Sequence, residues 1–84
     1  MRVLVIEDEP QLLRQILAGL IQQGIEAEGS GDGREGLYLA EEYPHDAAVV
    51  DLGLPGLPGL EIIRRLRAKG SRLPILILTA RDRW

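Results

Sequence analysis

The sequence has no cysteine and no phenylalanine, a single methionine, a single histidine and only three aromatic residues. Without cysteine there is no disulfide, no thiolate nucleophile and no zinc–sulfur centre. No apolar run approaches the length of a signal-peptide core or a membrane span; the first, Val3–Ile6, is followed at once by acids. Basic charge is not in excess either, since 10 Lys and Arg against 13 Asp and Glu leave a net charge of −3. That balance gives no general attraction to nucleic acid or to an anionic membrane. Internal repeats, linkers and low-complexity segments are missing too. These absences fit a cytoplasmic protein with no membrane partner. What remains is an ordinary globular composition, 45% hydrophobic and 27% charged over 84 residues. That is one small domain, burying only ~60–65% of the surface its unfolded chain exposes.

Four short apolar runs alternate with three helical patterns. Arg2–Ile6, Ala47–Val50 and Ile75–Leu78 are continuous and rich in β-branched residues, as strands of a parallel sheet covered on both faces should be. Ile25–Glu28 alternates apolar and acidic residues and predicts an edge strand. The first helix begins at Pro10, places Leu13, Ile16, Leu17, Leu20 and Ile21 on one stripe, and stops before Gly24. The second starts behind Asp32, an N-cap with Glu35 at capping-box spacing, and ends near Pro44. The third covers Pro58 to Lys69, with Leu60, Ile63 and Leu66–Arg67 as its inner side and Gly70 as its stop. A β-α-β-α-β-α-β order with right-handed crossovers predicts an α/β doubly wound parallel sheet of strand order 2-1-3-4. The switch point then lies at the carboxyl ends of the first and third strands.

The first strand runs out into Glu7-Asp8-Glu9 and the third into Asp51. Several carboxylates meeting at one rim are unfavourable unless a proton or a cation sits between them. Hard oxygen ligands of this kind suit Mg²⁺. The fourth strand ends in Thr79 and the small Ala80, a hydroxyl able to hydrogen-bond an oxyanion. A cation site, a carboxylate nucleophile and a hydroxyl are the parts for phosphoryl transfer to an aspartate.

The segments Val3–Glu9, Val49–Gly59 and Ile75–Asp82, in this order and spacing, resemble the three signatures of response-regulator receiver domains, the CheY-like fold of two-component signalling. The resemblance implies that Asp51 accepts a phosphoryl group from a sensor histidine kinase. It implies that Asp8 and Asp51 bind Mg²⁺ directly, Glu7 largely through water and Gly53 through its backbone carbonyl. Thr79 would then swing toward the phosphoryl group and shift the domain between two surfaces. The wording Leu-Thr-Ala-Arg-Asp-Arg-Trp at positions 78–84 is similar to regulators that carry a winged-helix (OmpR/PhoB-type) DNA-binding effector.

Against that pattern, 1–84 reads as an incomplete receiver, without the expected fourth helix, fifth strand and fifth helix, the strand-5 aromatic and the lysine after it. Lys69 belongs to the third helix and does not replace that lysine. With one helix on one face, parts of Val3, Val5, Val49 and Ile75–Leu78 should be bare, favouring a homodimer or strand exchange. Other readings are weaker. A nucleotide or flavin module would place glycines and hydroxyls where Glu7-Asp8-Glu9-Pro10 stands. An aspartate-based phosphohydrolase needs a second acid where Gly53 stands, so the chain is not read as an enzyme. A degenerate receiver acting only in docking is the alternative that the missing lysine revives. His45 reads as an ordinary loop residue far from the rim. The basic run Arg64, Arg65, Arg67, Lys69 and Arg72 reads as a solvated helix face, and no aromatic interleaves with it.

Overall fold

The computed structural model describes residues 1–78. Its elements are β1 (Arg2–Ile6), α1 (Pro10–Gln22), β2 (Glu26–Ser30), α2 (Gly33–Glu42), β3 (Ala47–Asp51), α3 (Gly59–Ala68) and β4 (Ile75–Leu78). The strands form one sheet of order β2-β1-β3-β4 with every pairing parallel, the doubly wound arrangement predicted. No described helix is long and apolar enough to cross a membrane.

The central strand explains its own composition. Val3, Leu4, Val5 and Ile6 are all buried because α1 lies on one side of β1 and α2 on the other. Leu4 and Ile6 join Ala48, Val50, Leu37, Ile62 and Leu66 in a core between the sheet and the α2–α3 pair. On the opposite face Leu13 and Leu17 of α1 close over β2 at Gly29, which lies beside Val5 in register. Val3 and Val5 are therefore covered, contrary to the expectation of a bare strip. The bare apolar residues lie at the far edge, where Leu76 is 66% and Ile77 45% exposed. Leu76 lies on the face where α1, packed over β1 and β2, does not reach β4, and Ile77 lies on the α2–α3 face beside Val50 at the sheet edge.

Two helix registers also differ from the sequence pattern. Ile21 is exposed, while Leu13, Ile16, Leu17 and Leu20 are the half-buried side of α1. In α3 the inner residues are Gly59, Ile62 and Leu66, whereas Leu60 is 62% exposed and Arg67 is in solvent. The cause lies at the helix start, where Gly59 packs directly against the Asp51 carbonyl. That contact fixes a buried stripe at i, i+3 and i+7 and turns Leu60 outward. β2 begins one residue later than expected and runs to Ser30. Gly24 and Gly70 follow the ends of α1 and α3 at positive φ, 83° and 87°, as the stops they were read to be.

The amino end of the sheet is tied by charge. The Arg2 N–H donates to Asp46 Oδ2 at 2.8 Å, and its guanidinium lies 3.8 Å from Glu26 Oε1 and 3.6 Å from Glu28 Oε2. His45 Nε2 is 2.6 Å from the same Glu28 oxygen, with its side chain only 1% exposed. His45 does precede β3 at the end away from the rim, but it is a buried structural partner rather than an ordinary loop residue. Lys69 pairs with Glu41 at 3.0 Å, bracing the carboxyl ends of α3 and α2. Arg64 and Arg65 pair with Glu61, leaving the basic run solvated as predicted.

Candidate functional site

Parallel pairing sets the site. Ile6 is in register with both Ser30 and Val50, so Glu7 and Asp51 are the next residues out on adjacent strands. The Glu7 N–H donates to the Ser30 carbonyl at 3.0 Å, extending the β1–β2 ladder to the acid itself. Carboxylate oxygens of Glu7, Asp8 and Asp51 all lie within 4.8 Å of one another. Glu7 and Asp51 are buried, at 1% and 2% exposure, and Asp8 is half-buried.

Local structure aims these groups. Glu7 Oε2 accepts the Glu9 N–H at 2.9 Å, and Glu9 Oε1 in turn accepts the Leu12 N–H at 2.7 Å as the N-cap of α1. Glu9 thus starts the helix rather than joining the cluster, and Pro10 at N1 needs no hydrogen bond there. The Gly53 N–H donates to Asp51 Oδ1 at 3.3 Å, folding the β3–α3 loop back over the end of its own strand. Leu54 and Leu57 anchor that loop in the core.

The electrostatics are those of a site that could hold a cation. Burial pushes the Glu7 carboxyl above its ordinary value of 4.5, and the nearby Asp51 and Asp8 charges push it further. The Glu9 N–H pulls the other way and does not prevail. Glu7 Oε1 and Asp8 Oδ1 are buried with no hydrogen-bond partner among the described residues. Buried oxygens are seldom left so in a folded protein. A hard cation satisfies such oxygens and removes the repulsion together.

Four of the five residues singled out in the sequence, Glu7, Asp8, Asp51 and Gly53, are therefore brought to one rim. Thr79 lies outside the described residues; Asp51 is in register with Leu78, the residue before it. Residues 3–83 match the family model described as the response regulator receiver domain.

The chain belongs to that family. It is 50% identical to the two-component response regulator PhoP of Pseudomonas aeruginosa over all 84 residues, which are 37% of that protein. With the virulence transcriptional regulatory protein PhoP of Salmonella typhimurium it shares 44% identity, over 38% of that protein's length. The chain thus spans a little over a third of these curated relatives. Among solved structures, the Thermotoga maritima response regulator TrrA in complex with Mg²⁺ and BeF superposes with a TM-score of 0.90 at 31% identity, covering 96% of this chain and 70% of that one. TrrA in complex with the histidine kinase ThkA matches with a TM-score of 0.87 at 30% identity, covering 99% and 72%.

Part of the neighbouring α2 cap escaped the sequence reading. Ser30, buried at the end of β2, receives the Asp32 N–H at 3.2 Å and donates to Glu35 Oε1 at 2.6 Å. Glu35 N–H donates to Asp32 Oδ2 at 2.9 Å, so the capping box of α2 exists with its return half relayed through Ser30. The serine two residues before the cap was the available signal.

Proposed function

We propose that the chain is the phosphoacceptor part of a cytoplasmic two-component response regulator, with Asp51 as the residue that takes the phosphoryl group. The observation that carries this reading is the convergence of Glu7, Asp8 and Asp51 within 4.8 Å, two of them buried. In this reading a carboxylate oxygen of Asp51 attacks the phosphorus of a kinase phosphohistidine. The new P–O bond forms as the P–N bond breaks, and the leaving imidazole takes the electron pair and then a solvent proton. Glu7, Asp8, Asp51 and the Gly53 carbonyl would hold Mg²⁺, which when bound neutralises charge on the carboxylates and the phosphoryl oxygens. Glu9 contributes through its backbone, holding the Glu7 carboxylate toward the cluster. Thr79 is assigned the switch hydroxyl on the family pattern. The TrrA complexes with Mg²⁺–BeF and with a histidine kinase support the metal and the partner class.

The reading makes the chain a phosphoacceptor rather than an enzyme, and the first part of a longer regulator. Coverage of 37–38% of the PhoP relatives supports that. The transcriptional regulatory role in the name of the Salmonella relative supports a transcriptional output, which in this reading runs through a separate DNA-binding effector. For the 84 residues alone, the exposed Leu76 and Ile77 at the sheet edge favour self-association through β4. A monodisperse, cooperatively folding monomer by sedimentation would overturn that part. The phosphoacceptor itself is tested by labelling with acetyl phosphate and Mg²⁺. Wild type should form a hydroxylamine-labile acyl phosphate and Asp51→Asn none; label persisting in Asp51→Asn would refute the assignment.

A further inference from the structure

The β3–α3 loop is held from an unexpected side. Gly33, the first residue of α2, sits so close to the Leu57 carbonyl that a β-carbon there would collide with backbone. Gly59 makes the corresponding approach to the Asp51 carbonyl at the other end of the loop. Between them the loop is fastened at Leu54 and Leu57 in the core, and Gly56 lies beside the Asp32 cap, with an added β-carbon 3.3 Å from Asp32 Oδ1. The first turn of α2 therefore closes against the loop that carries Gly53, whose N–H meets Asp51 Oδ1.

We propose that Gly33 is a positioning residue for the phosphoacceptor site, acting through Leu57 to keep the Gly53–Leu57 loop over Asp51. This rests on the metal-dependent phosphoacceptor reading. The physical argument is that backbone-to-backbone contact is stiff. A methyl added at Gly36 meets side-chain atoms of the buried Ile6, which must repack at a cost in stability, whereas the Leu57 carbonyl moves only if the loop moves. Supporting contacts of this kind tune ligand placement without touching the ligand.

The test uses the full-length protein and compares Gly33→Ala with Gly36→Ala, which adds a methyl one turn on against the Ile6 side chain. In the metal-free state, amide exchange at Gly53 and Leu57 should quicken about tenfold or more in Gly33→Ala, with β1 amides unchanged. Mg²⁺ affinity by calorimetry should fall by ~10-fold or more in the same variant. Gly36→Ala should lose stability while keeping both loop exchange and affinity. If Gly33→Ala does not fold, Asp32→Ala loosens the same turn by removing the exposed cap and should quicken the same amides, whereas Asp32→Asn, which still caps, should not. Wild-type loop exchange in folded Gly33→Ala or in Asp32→Ala would overturn the clasp. Absence of Mg²⁺ binding by wild type, with loop exchange responding as expected, would instead overturn the metal reading and the positioning role that rests on it.

Discussion

Replacing Glu7 with Gln should make the metal-free protein more stable and deprive it of its response to Mg²⁺. Gln keeps the shape and retains an oxygen for the Glu9 N–H, now accepted by Glu7 Oε2 at 2.9 Å. Its amide nitrogen replaces the buried, unpartnered Oε1 with a donor facing two carboxylates. At the 4.8 Å limit of the cluster, a fully ionised pair repels by about 3.5 kcal/mol at an effective dielectric of ~20. Glu7 has two such neighbours, Asp8 and Asp51, but proton uptake caps the repulsion the folded state bears. A net gain of roughly 1–3 kcal/mol is expected in EDTA, raising the melting temperature by about 5 °C or more. Wild type should gain ~2.7 kcal/mol when Mg²⁺ is raised to 100 times its Kd, and the variant far less at the same concentration. Thermal melts of both proteins in EDTA and in Mg²⁺ measure all four states. A variant that melts below wild type in EDTA, or that keeps the full Mg²⁺ gain, would refute the electrostatic account.

The same carboxyl gives a pH dependence. Because the Glu7 pKa is raised above 4.5, its contribution to metal-free stability is complete below that pH and is lost as pH rises through the folded value. The advantage of Glu7→Gln over wild type in EDTA should therefore widen from pH 4.5 upward, and a flat difference across melts would contradict this. At the other end of the sheet, Glu28→Ala strands the buried His45 ring, whose Nδ1 already has no hydrogen-bond partner among the described residues. It should cost ~1–3 kcal/mol in urea unfolding while leaving Mg²⁺ affinity intact. The α3 register is checked by a pair of substitutions: Leu60→Gln should stay within about 0.5 kcal/mol of wild type and Ile62→Ala should lose ~2–5 kcal/mol. The reverse order in denaturation would restore the register read from sequence.

What the sequence made legible follows a rule about distance along the chain. β1, α1, β4 and the Asp32 cap are written in neighbouring residues, and the acid rim follows once parallel strands are aligned at their carboxyl ends. The errors concern contacts between elements. Leu60 looked internal because its own helix offers it an apolar neighbour at Ile63, and only the seating of Gly59 beneath Asp51 decides otherwise. His45 and Glu28 stand 17 residues apart, and nothing near either announces the other. Leu54 and Leu57 sit in a segment rich in Pro and Gly that reads as a loop, which it is, yet both side chains are buried. Glu9 was grouped with Glu7 and Asp8 by adjacency, whereas its side chain reaches along the chain to cap α1.

The polar contacts of Arg2, Glu28 and His45 bear on how the molecule tolerates change at its other end. They link β1, β2 and the start of β3 at the end of the sheet away from the acidic rim. On the proposed reading, a cation or a phosphoryl group taken up at the carboxylate cluster would act on a frame tied at its opposite end. Like a tuning fork held at its stem, the sheet is gripped at the end opposite its carboxylates.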